Sequence, residues 1–241
     1  MNAKTYTMKS FTGFYSTYKG KISRSLQGRG IFGTVILFPK RYFQRFRFRK
    51  LDFGGKIEPF ELDGPEEVKE HAVRYEASDH IFFRRLFEDV DWPFRESIFV
   101  DFGCGKGASL VYASGFQFKK LIGVEFSQQL SDTAARNLAK HSARILKTID
   151  YEIVNTDAGK YEVPEDADCF YFFNPFDAVI LDRVLQNIVK SLEAKRRKIL
   201  IVYMNAIHND VLEKYPFRKV KYLSPKELDI YYTGGACVYT N

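Results

Sequence analysis

The feature that most constrains the fold is an alternation of strand-like and helix-like segments that begins near residue 66. Short apolar runs, SIFVDF (97–102), KLIGVEF (120–126), ADCFYFF (167–173) and KILIVYM (198–204), are separated by longer amphipathic segments. Parallel strands joined by crossover helices produce this pattern. We therefore expect an α/β protein with a doubly wound sheet. The last two strand-like segments lack a good helix between them and predict an antiparallel hairpin at its edge.

Charge divides the chain into two parts. Residues 1–60 hold thirteen Lys or Arg against two acidic residues, whereas residues 61–241 hold 24 against 28. The segment LDFGGKIEPFELDGPEE (51–67) is rich in Gly, Pro and acids and is typical of a connection. We predict a basic, aromatic-rich N-terminal extension over residues 1–62 and an α/β domain over residues 63–241.

The extension contains KRYFQRFRFRK (40–50), which has six basic and four aromatic residues and follows the apolar run IFGTVILF (31–38). Three interpretations stay open: a helix packed on the domain, contact with anionic membrane lipid through residues 31–50, or contact with nucleic acid. We favour membrane over nucleic acid because the apolar run directly precedes the charges and because the rest of the chain is slightly acidic.

Several classes of protein are excluded by what the sequence lacks. No stretch approaches the roughly 20 apolar residues that a membrane-spanning helix needs, and no secretory signal is recognisable. Cys104, Cys169 and Cys237 form no C-x-x-C pair, and the histidines show no metal-ligand spacing. We expect reduced thiols, no metal site and a cytoplasmic protein, with peripheral membrane contact as an option.

The sharpest chemical signal is DFGCGKGA (101–108), a glycine-rich turn between a predicted strand and a predicted helix. Glycine lets a ligand lie against the backbone, and open α/β sheets bind ligands at the carboxyl ends of their strands. The spacing Gly103-x-Gly105-x-x-Ala108 satisfies a loose dinucleotide fingerprint, with Glu125 about 20 residues further on. Asp101, however, would repel a pyrophosphate and attract an ammonium group.

In these segments the chain resembles a known family. VDFGCGKG followed by IGVEFS resembles motif I and the acidic second strand of class I S-adenosylmethionine (SAM)-dependent methyltransferases. The resemblance continues through NTDA, FYFFNPF and ILIVYMN, covers roughly residues 72–241, and is closest to bacterial methyltransferase-like proteins with RYE before the domain and FFNPF at the fourth strand. It implies SAM as cofactor and a seven-stranded Rossmann-like methyltransferase sheet with an antiparallel edge strand.

The resemblance also implies roles for individual residues. Asp101 and the glycine backbone would surround the methionine part of SAM, and Glu125 would accept both ribose hydroxyls. Phe126 would lie against the adenine. Asp157 would accept a hydrogen bond from the adenine amino group, and Ala158 would supply a backbone N–H. The implied cofactor-binding set is Asp101, Gly103, Cys104, Gly105, Gly107, Glu125, Phe126, Asp157, Ala158 and Asn174, in which Cys104 is a small side chain tolerated beside the cofactor.

Asn174-Pro175-Phe176 resembles the Asn/Asp-Pro-Pro-aromatic motif of amino-methyltransferases, in which the Asn oxygen and a backbone carbonyl accept hydrogen bonds from the target amino group. One proline stands where the motif has two, which puts planar nucleobase and glutamine targets in doubt. A non-planar amine, such as lysine or an amino sugar, and a hydroxyl stay open. The predicted catalytic residues are Asn174, Pro175, Phe176 and Glu76, the last as base or substrate anchor; the predicted substrate residues are Tyr75, Tyr203 and Asn205.

The sequence therefore predicts an enzyme that transfers a methyl group from SAM to an unidentified acceptor, with a nitrogen favoured. Two alternatives stay open: a catalytically inactive SAM- or nucleotide-binding interaction module, and an NAD-binding oxidoreductase. An inactive module would not need the Asn-Pro-Phe segment, and nothing downstream resembles the catalytic set of a dehydrogenase. Before the first predicted strand of the domain, we expect EEVKEHAVRY (66–75) to be helical.

Overall fold

The computed structural model of the chain describes residues 47–88, 90–145, 149–228 and 233–241. The chain divides into two compact units, Met1–Lys50 and Leu51–Asn241. In the described end of the first unit, the Arg47 guanidinium lies 5.5 Å from the centroid of the Phe48 ring. Most of the proposed lipid- or nucleic-acid-binding segment (31–50) lies outside the described residues and stays a prediction. No helix of the described ranges is long and apolar enough to cross a membrane.

Residues 51–62 were predicted to belong to the N-terminal extension, but they lie in the second unit. The Asp52 N–H donates to Asn137 Oδ1 over 2.9 Å, and Asn137 Nδ2 donates back to the Asp52 carbonyl over 2.9 Å. Lys106 Nζ lies 3.1 Å from the Asp52 carboxylate and 2.8 Å from the Gly54 carbonyl. These contacts attach residues 52–54 to the glycine-rich turn, while the functional boundary at residue 62 stays a prediction.

The second unit alternates strands and helices from residue 98 onward, as its sequence predicts. In chain order the strands are β1 (Lys56–Ile57), β2 (Tyr75–Glu76), β3 (Ile98–Phe102), β4 (Lys120–Glu125), β5 (Tyr151–Asn155), β6 (Cys169–Phe173), β7 (Leu200–Met204), β8 (Arg218–Leu223) and β9 (Ala236–Thr240). The α-helices are α1 (Glu66–Lys69), α2 (His80–Glu88), α3 (Ala108–Ala113), α4 (Gln128–Ile145), α5 (Ala178–Ala194), α6 (Asn209–Leu212) and α7 (Pro225–Leu228).

A seven-stranded sheet with the order β5-β4-β3-β6-β7-β9-β8 organises the unit. The five strands from β3 to β7 are parallel to one another, and β9 runs antiparallel to both β7 and β8. The predicted doubly wound α/β sheet with an antiparallel edge hairpin is therefore confirmed; within the hairpin, β8 is outermost. The strand order reverses between β3 and β6, so the carboxyl ends of β3, β4 and β6 meet at a topological switch point, where such sheets bind ligands.

Side chains of the central strand β3 alternate between two apolar layers. Val100 and Phe102 join a core cluster with helix α5, whereas Phe99 packs edge-on against Phe83 and Phe87 of helix α2. Every residue of β3 is buried. Asp101 therefore places a carboxyl group inside the protein, because it belongs to a strand that is covered on both faces.

The segment predicted as a helix over residues 66–75 is helical only over Glu66–Lys69. Residues 71–73 instead form a short antiparallel ladder with residues 175–177: Ala72 bridges Phe176, the Val73 N–H donates to the Pro175 carbonyl over 3.0 Å, and the Asp177 N–H donates to the His71 carbonyl over 2.9 Å. The helical prediction was wrong for residues 70–75 because this tertiary pairing satisfies their backbone groups. It lays the segment beside the loop that follows β6 (residues 174–177, the β6 loop).

Candidate functional site

A cleft opens where the carboxyl ends of β3, β4 and β6 meet residues 68–78. It encloses about 860 Å³ of empty space, including the part that is open to solvent. Most of the predicted site residues line it, namely Tyr75, Glu76, Asp101, Gly103, Cys104, Glu125, Phe126, Asp157, Ala158, Asn174, Pro175 and Phe176. The residues of the predicted set that do not line it are Gly105, Gly107, Tyr203 and Asn205. Segments that are distant in the sequence thus share one cleft.

Two buried carboxylates lie in this cleft. Asp101 is 2% exposed and Glu125 is 5% exposed. Glu125 Oε2 accepts the Gly105 N–H over 2.9 Å and Oε1 accepts the Ser127 N–H over 3.0 Å, while the Ser109 hydroxyl donates to the Asp101 carboxylate. Within the described part of the chain, neither carboxylate has a basic partner.

Burial makes the ionised form of both groups unfavourable. It raises the pKa of Asp101 to about 7, with the Ser109 hydrogen bond opposing the rise and the charge of Glu125 adding to it. Burial also raises the pKa of Glu125 to about 7, against the hydrogen bonds from the backbone N–H groups of residues 127, 105 and 126. A bound cation would favour the ionised form of both, so the pair suits a positively charged ligand. The carboxylate oxygens also retain lone pairs that can accept ligand hydroxyls.

The glycine-rich turn is shaped by close approaches within the chain. A Cβ on Gly103 would lie 2.3 Å from the Cβ of Pro175, and a Cβ on Gly105 would lie 2.4 Å from Cε2 of Tyr75. Their φ angles are +72° and +53°, which favour glycine. These glycines therefore let the β6 loop and the Tyr75 ring close against the turn. Sequence reasoning assigned that space to a ligand and missed this role.

Cys104 is a buried thiol between two glycines of the turn. A Cβ on Gly123 of β4 would lie 2.7 Å from the Sγ of Cys104, so the thiol packs against this glycine. Burial raises the pKa of Cys104 well above its usual value, so the group stays a protonated, weakly reactive thiol. Its packing agrees with the predicted small side chain and not with a nucleophile.

The predicted adenine end of the cleft lies after β4 and β5. Asp157 Oδ1 accepts the Gly159 N–H over 2.9 Å and so caps a 3-10 turn that starts at Ala158. Gly64 lies on the Phe126 ring, since a Cβ there would approach the ring to 3.0 Å. The Ser127 hydroxyl donates to the Asp63 carboxylate. The connection before α1 therefore helps to position Phe126 at the cleft.

Asn174 has a φ of +41° and is 6% exposed. Its Oδ1 accepts the Tyr203 hydroxyl over 3.2 Å, and the next carbonyl, that of Pro175, accepts the Val73 N–H over 3.0 Å. Burial raises the pKa of Tyr203 to about 12, so this hydroxyl keeps its proton and donates. Asn174 Oδ1 and the Pro175 carbonyl thus each have one protein donor and keep further lone-pair capacity.

Two other predicted residues have contacts that bear on their roles. Asn205 Oδ1 accepts the Gly234 N–H over 3.2 Å, which holds the turn before β9 and does not involve the cleft. The Glu76 carboxylate lies 3.0 Å from Lys56 Nζ and 3.9 Å from the Arg74 guanidinium. Both cations lie beside Oε2 and hold the carboxylate in place, so this arrangement favours the anchoring role of Glu76 over that of a base.

Sequence reasoning assigned no role to His71 and Asp177. His71 lines the cleft, and its Nδ1 lies 2.7 Å from Asp177 Oδ2. Asp177 Oδ1 also accepts the N–H groups of Val179 and Ile180 over 3.0 and 3.1 Å, which caps α5. Asp177 had a recognisable signal, as an N-cap residue before an apolar helix. His71 had none, because its partner lies 106 residues away in the sequence.

No family model matches the sequence, and no curated protein matches it. Solved structures that are similar to this chain include the following three. The O-MT region of StiE is 20% identical over 58% of this chain and 51% of that one, with a TM-score of 0.44. The mitomycin 7-O-methyltransferase MmcR is 14% identical over 67% of this chain and 53% of that one, with a TM-score of 0.49. A putative S-adenosylmethionine dependent methyltransferase from Listeria monocytogenes is 10% identical over 67% of this chain and 98% of that one, with a TM-score of 0.48.

This chain spans about half the length of the first two of these structures. Likenesses this distant carry no argument about activity.

Proposed function

We propose that this protein is a SAM-dependent methyltransferase. The observation that carries the proposal is the pair of buried carboxylates, Asp101 and Glu125, beside the glycine-rich turn at the switch point of the sheet. SAM carries an ammonium and a sulfonium charge, which such a pair attracts. A dinucleotide would bring a pyrophosphate to the same turn, and Asp101 would repel it.

The residues that line the cleft offer a partner for each part of SAM. Asp101 and the turn would hold the methionine part, and Glu125 would accept the ribose hydroxyls with lone pairs that Gly105 and Ser127 leave free. Asp157 and Phe126 would hold the adenine. Bound SAM supplies an electrophilic methyl group on sulfur, and the chain contributes by holding the acceptor in line with it.

We propose a non-planar amine as the methyl acceptor. Asn174 Oδ1 and the Pro175 carbonyl keep lone pairs that can orient an N–H group. Phe176 is 7% exposed and packs edge-on against Phe172 in the core, with ring centroids 6.2 Å apart. A ring held in this way is not free to stack on a planar target, which supports the inference drawn from the missing second proline.

Calorimetry with SAM, S-adenosylhomocysteine and NAD on the full chain tests the cofactor. We expect the two sulfur compounds to bind. Asp101→Asn and Glu125→Gln should each weaken SAM binding by about 1–3 kcal/mol, the scale of a lost charged hydrogen-bond partner. Asp91→Asn, at an exposed position, is the matched control and should bind normally. Binding of NAD without SAM, or undiminished SAM binding in both variants, would refute the assigned cofactor site.

Transfer of a labelled methyl group from SAM to an extract of the source cells tests activity. The extract is sorted into protein, nucleic acid, lipid and glycan after the reaction. We expect label on amine-containing material, and we expect Asn174→Ala to retain SAM affinity while transfer falls. SAM binding with no label in any fraction would instead support the inactive binding module.

A further inference from the structure

His71 and Asp177 form a pair at the mouth of the cleft. Their side chains are 32% and 38% exposed, and Nδ1 lies 2.7 Å from Oδ2. The antiparallel ladder around Ala72 and Phe176 holds both backbones, and the other oxygen of Asp177 is fixed by the start of α5. The imidazole is therefore held in the cleft that Asn174 also lines, while it remains open to solvent.

The hydrogen bond determines which nitrogen of His71 carries the proton. Partial burial would raise the pKa of Asp177, but the His71 hydrogen bond and charge, with the Ile180 and Val179 N–H groups, hold that pKa below its usual value. Asp177 is thus an ionised acceptor and His71 Nδ1 is the donor. Nε2 of the neutral ring then has a free lone pair, and it has no hydrogen-bond partner within the described part of the chain.

We propose that His71, oriented by Asp177, is the general base that takes a proton from the methyl acceptor. The proposal rests on the proposed methyltransferase function and names the proton acceptor of that same site. A carboxylate on one ring nitrogen fixes the orientation of the ring and stabilises the imidazolium that forms. Glu76, the base candidate from the sequence, is instead ion-paired to Lys56 at 3.0 Å.

For an ammonium acceptor, Nε2 of His71 takes one N–H proton and becomes part of an imidazolium. The freed nitrogen lone pair forms a bond to the methyl carbon, while the methyl–sulfur bond breaks and its electron pair stays on sulfur. The products are a methylated ammonium and S-adenosylhomocysteine. His71 then releases its proton to water at the exposed mouth of the cleft.

Few of the described charged side chains lie around His71. Within the described ranges, Asp177 is the charged side chain that contacts it, from the β6 loop. Two basic residues near His71 in the sequence form ion pairs with other residues. The Arg74 guanidinium lies 3.4 Å from the Glu58 carboxylate, and Lys69 Nζ lies 2.5 Å from the Glu66 carboxylate.

NMR of the full chain labelled with ¹⁵N-histidine tests the arrangement without any ligand. We expect the neutral His71 ring to carry its proton on Nδ1. In Asp177→Asn the amide oxygen can keep the cap of α5 while the amide N–H₂ faces the ring, so the proton should move to Nε2. A proton on Nε2 in the unaltered protein would overturn the proposal whether or not SAM binds.

His71→Asn separates a base from a purely structural contact. The asparagine amide can still donate to Asp177, but nothing replaces Nε2. The assay uses the extract fraction that the unaltered protein labels. At saturating SAM, we expect the rate of methyl transfer to fall about 100-fold or more, which is the usual contribution of general base catalysis. The affinity for SAM should not change. Added imidazole should partly restore His71→Ala, and His208→Asn, a control histidine that does not line the cleft, should transfer normally.

A normal rate in His71→Asn would overturn the proposal and leave the pair as a link between two segments. A protein that binds no SAM would refute the proposed function instead, and the NMR result would still decide the state of His71. The two failures are therefore distinguishable.

Discussion

The two sides of the cleft are built in different ways. The proposed cofactor side consists of Asp101 and Glu125, which lie at the carboxyl ends of adjacent parallel strands and are almost completely buried. The proposed acceptor side consists of residues 71–76 laid on the β6 loop, and its side chains His71 and Asp177 are about one-third exposed. The sheet itself therefore fixes the positions of the two carboxylates. The other side is created by the pairing of residues 71–73 with the β6 loop, outside the sheet.

The two sides meet at Gly103, and the largest expected effect lies there. In Gly103→Ala the new Cβ would lie 2.3 Å from Pro175 at a φ of +72°. The strained backbone and the overpacking should together destabilise the protein by about 3 kcal/mol or more, and they should displace the β6 loop from the turn. Urea unfolding followed by circular dichroism measures the loss.

Gly115→Ala is the matched control for Gly103→Ala, since no heavy atom lies within 4 Å of a Cβ at that position. It should leave the free energy of unfolding within about 0.5 kcal/mol of the original value. An equally mild effect of Gly103→Ala would contradict the close contact between the two sides.

The next prediction concerns the cofactor side alone, through the pH dependence of its two carboxylates. Their pKa values of about 7 in the folded protein exceed the ordinary values near 4. Between these values the folded protein binds more protons than the unfolded chain. Their contribution to stability is therefore complete at low pH and is lost as pH rises through 7, by up to about 1.4 kcal/mol per pH unit for each group.

We expect the melting temperature of the ligand-free protein to fall from about pH 5 to pH 7.5 and then level off. SAM should bind more tightly over the same rise in pH, because it favours the ionised carboxylates. Asp101→Asn and Glu125→Gln should flatten the melting curve, while Asp177→Asn, on the acceptor side, should not. Equal slopes in all three variants would show that the buried pair is not the cause.

The same comparison explains what the sequence could predict. Asp101 and Glu125 each lie at or next to the end of an apolar strand, and parallel strands bring their carboxyl ends to one edge, so local patterns were sufficient. Residues 70–75 have the local pattern of a helix, and the pairing that overrides it comes from a loop about 100 residues away. Tyr75 was predicted as a site residue, but its contact with Gly105 and the position of His71 had no signal near them in the sequence.

A smaller effect is expected where a core side chain supports the acceptor side. Tyr203→Phe removes the hydroxyl that donates to Asn174 Oδ1 over 3.2 Å. We expect a loss of about 1 kcal/mol in stability and a fall in methyl transfer of several fold, with SAM affinity kept. Urea unfolding, calorimetry and the labelled-methyl assay measure the three quantities.

Tyr215→Phe is the matched control for Tyr203→Phe. Its hydroxyl also makes hydrogen bonds, to the Asp182 carboxylate over 2.8 Å and carbonyl over 3.1 Å, but it does not line the cleft. A similar loss of stability with normal transfer is expected there. If both variants lost transfer equally, the fall would reflect stability and not the position of Asn174.

The smallest expected effect separates the two roles left for Glu76. Lys56→Gln and Glu76→Gln each break the same ion pair, whose side chains are 57% and 29% exposed, and each should cost less than about 1 kcal/mol in unfolding free energy. If Glu76 anchors the acceptor, Glu76→Gln should raise the KM for the acceptor and Lys56→Gln should not. The kcat values of the two variants should then be equal. A fall in kcat confined to Glu76→Gln would transfer the role of base from His71 to Glu76. The acceptor side would then depend on a charge at β2, and the His71–Asp177 pair would only hold its segment against the β6 loop.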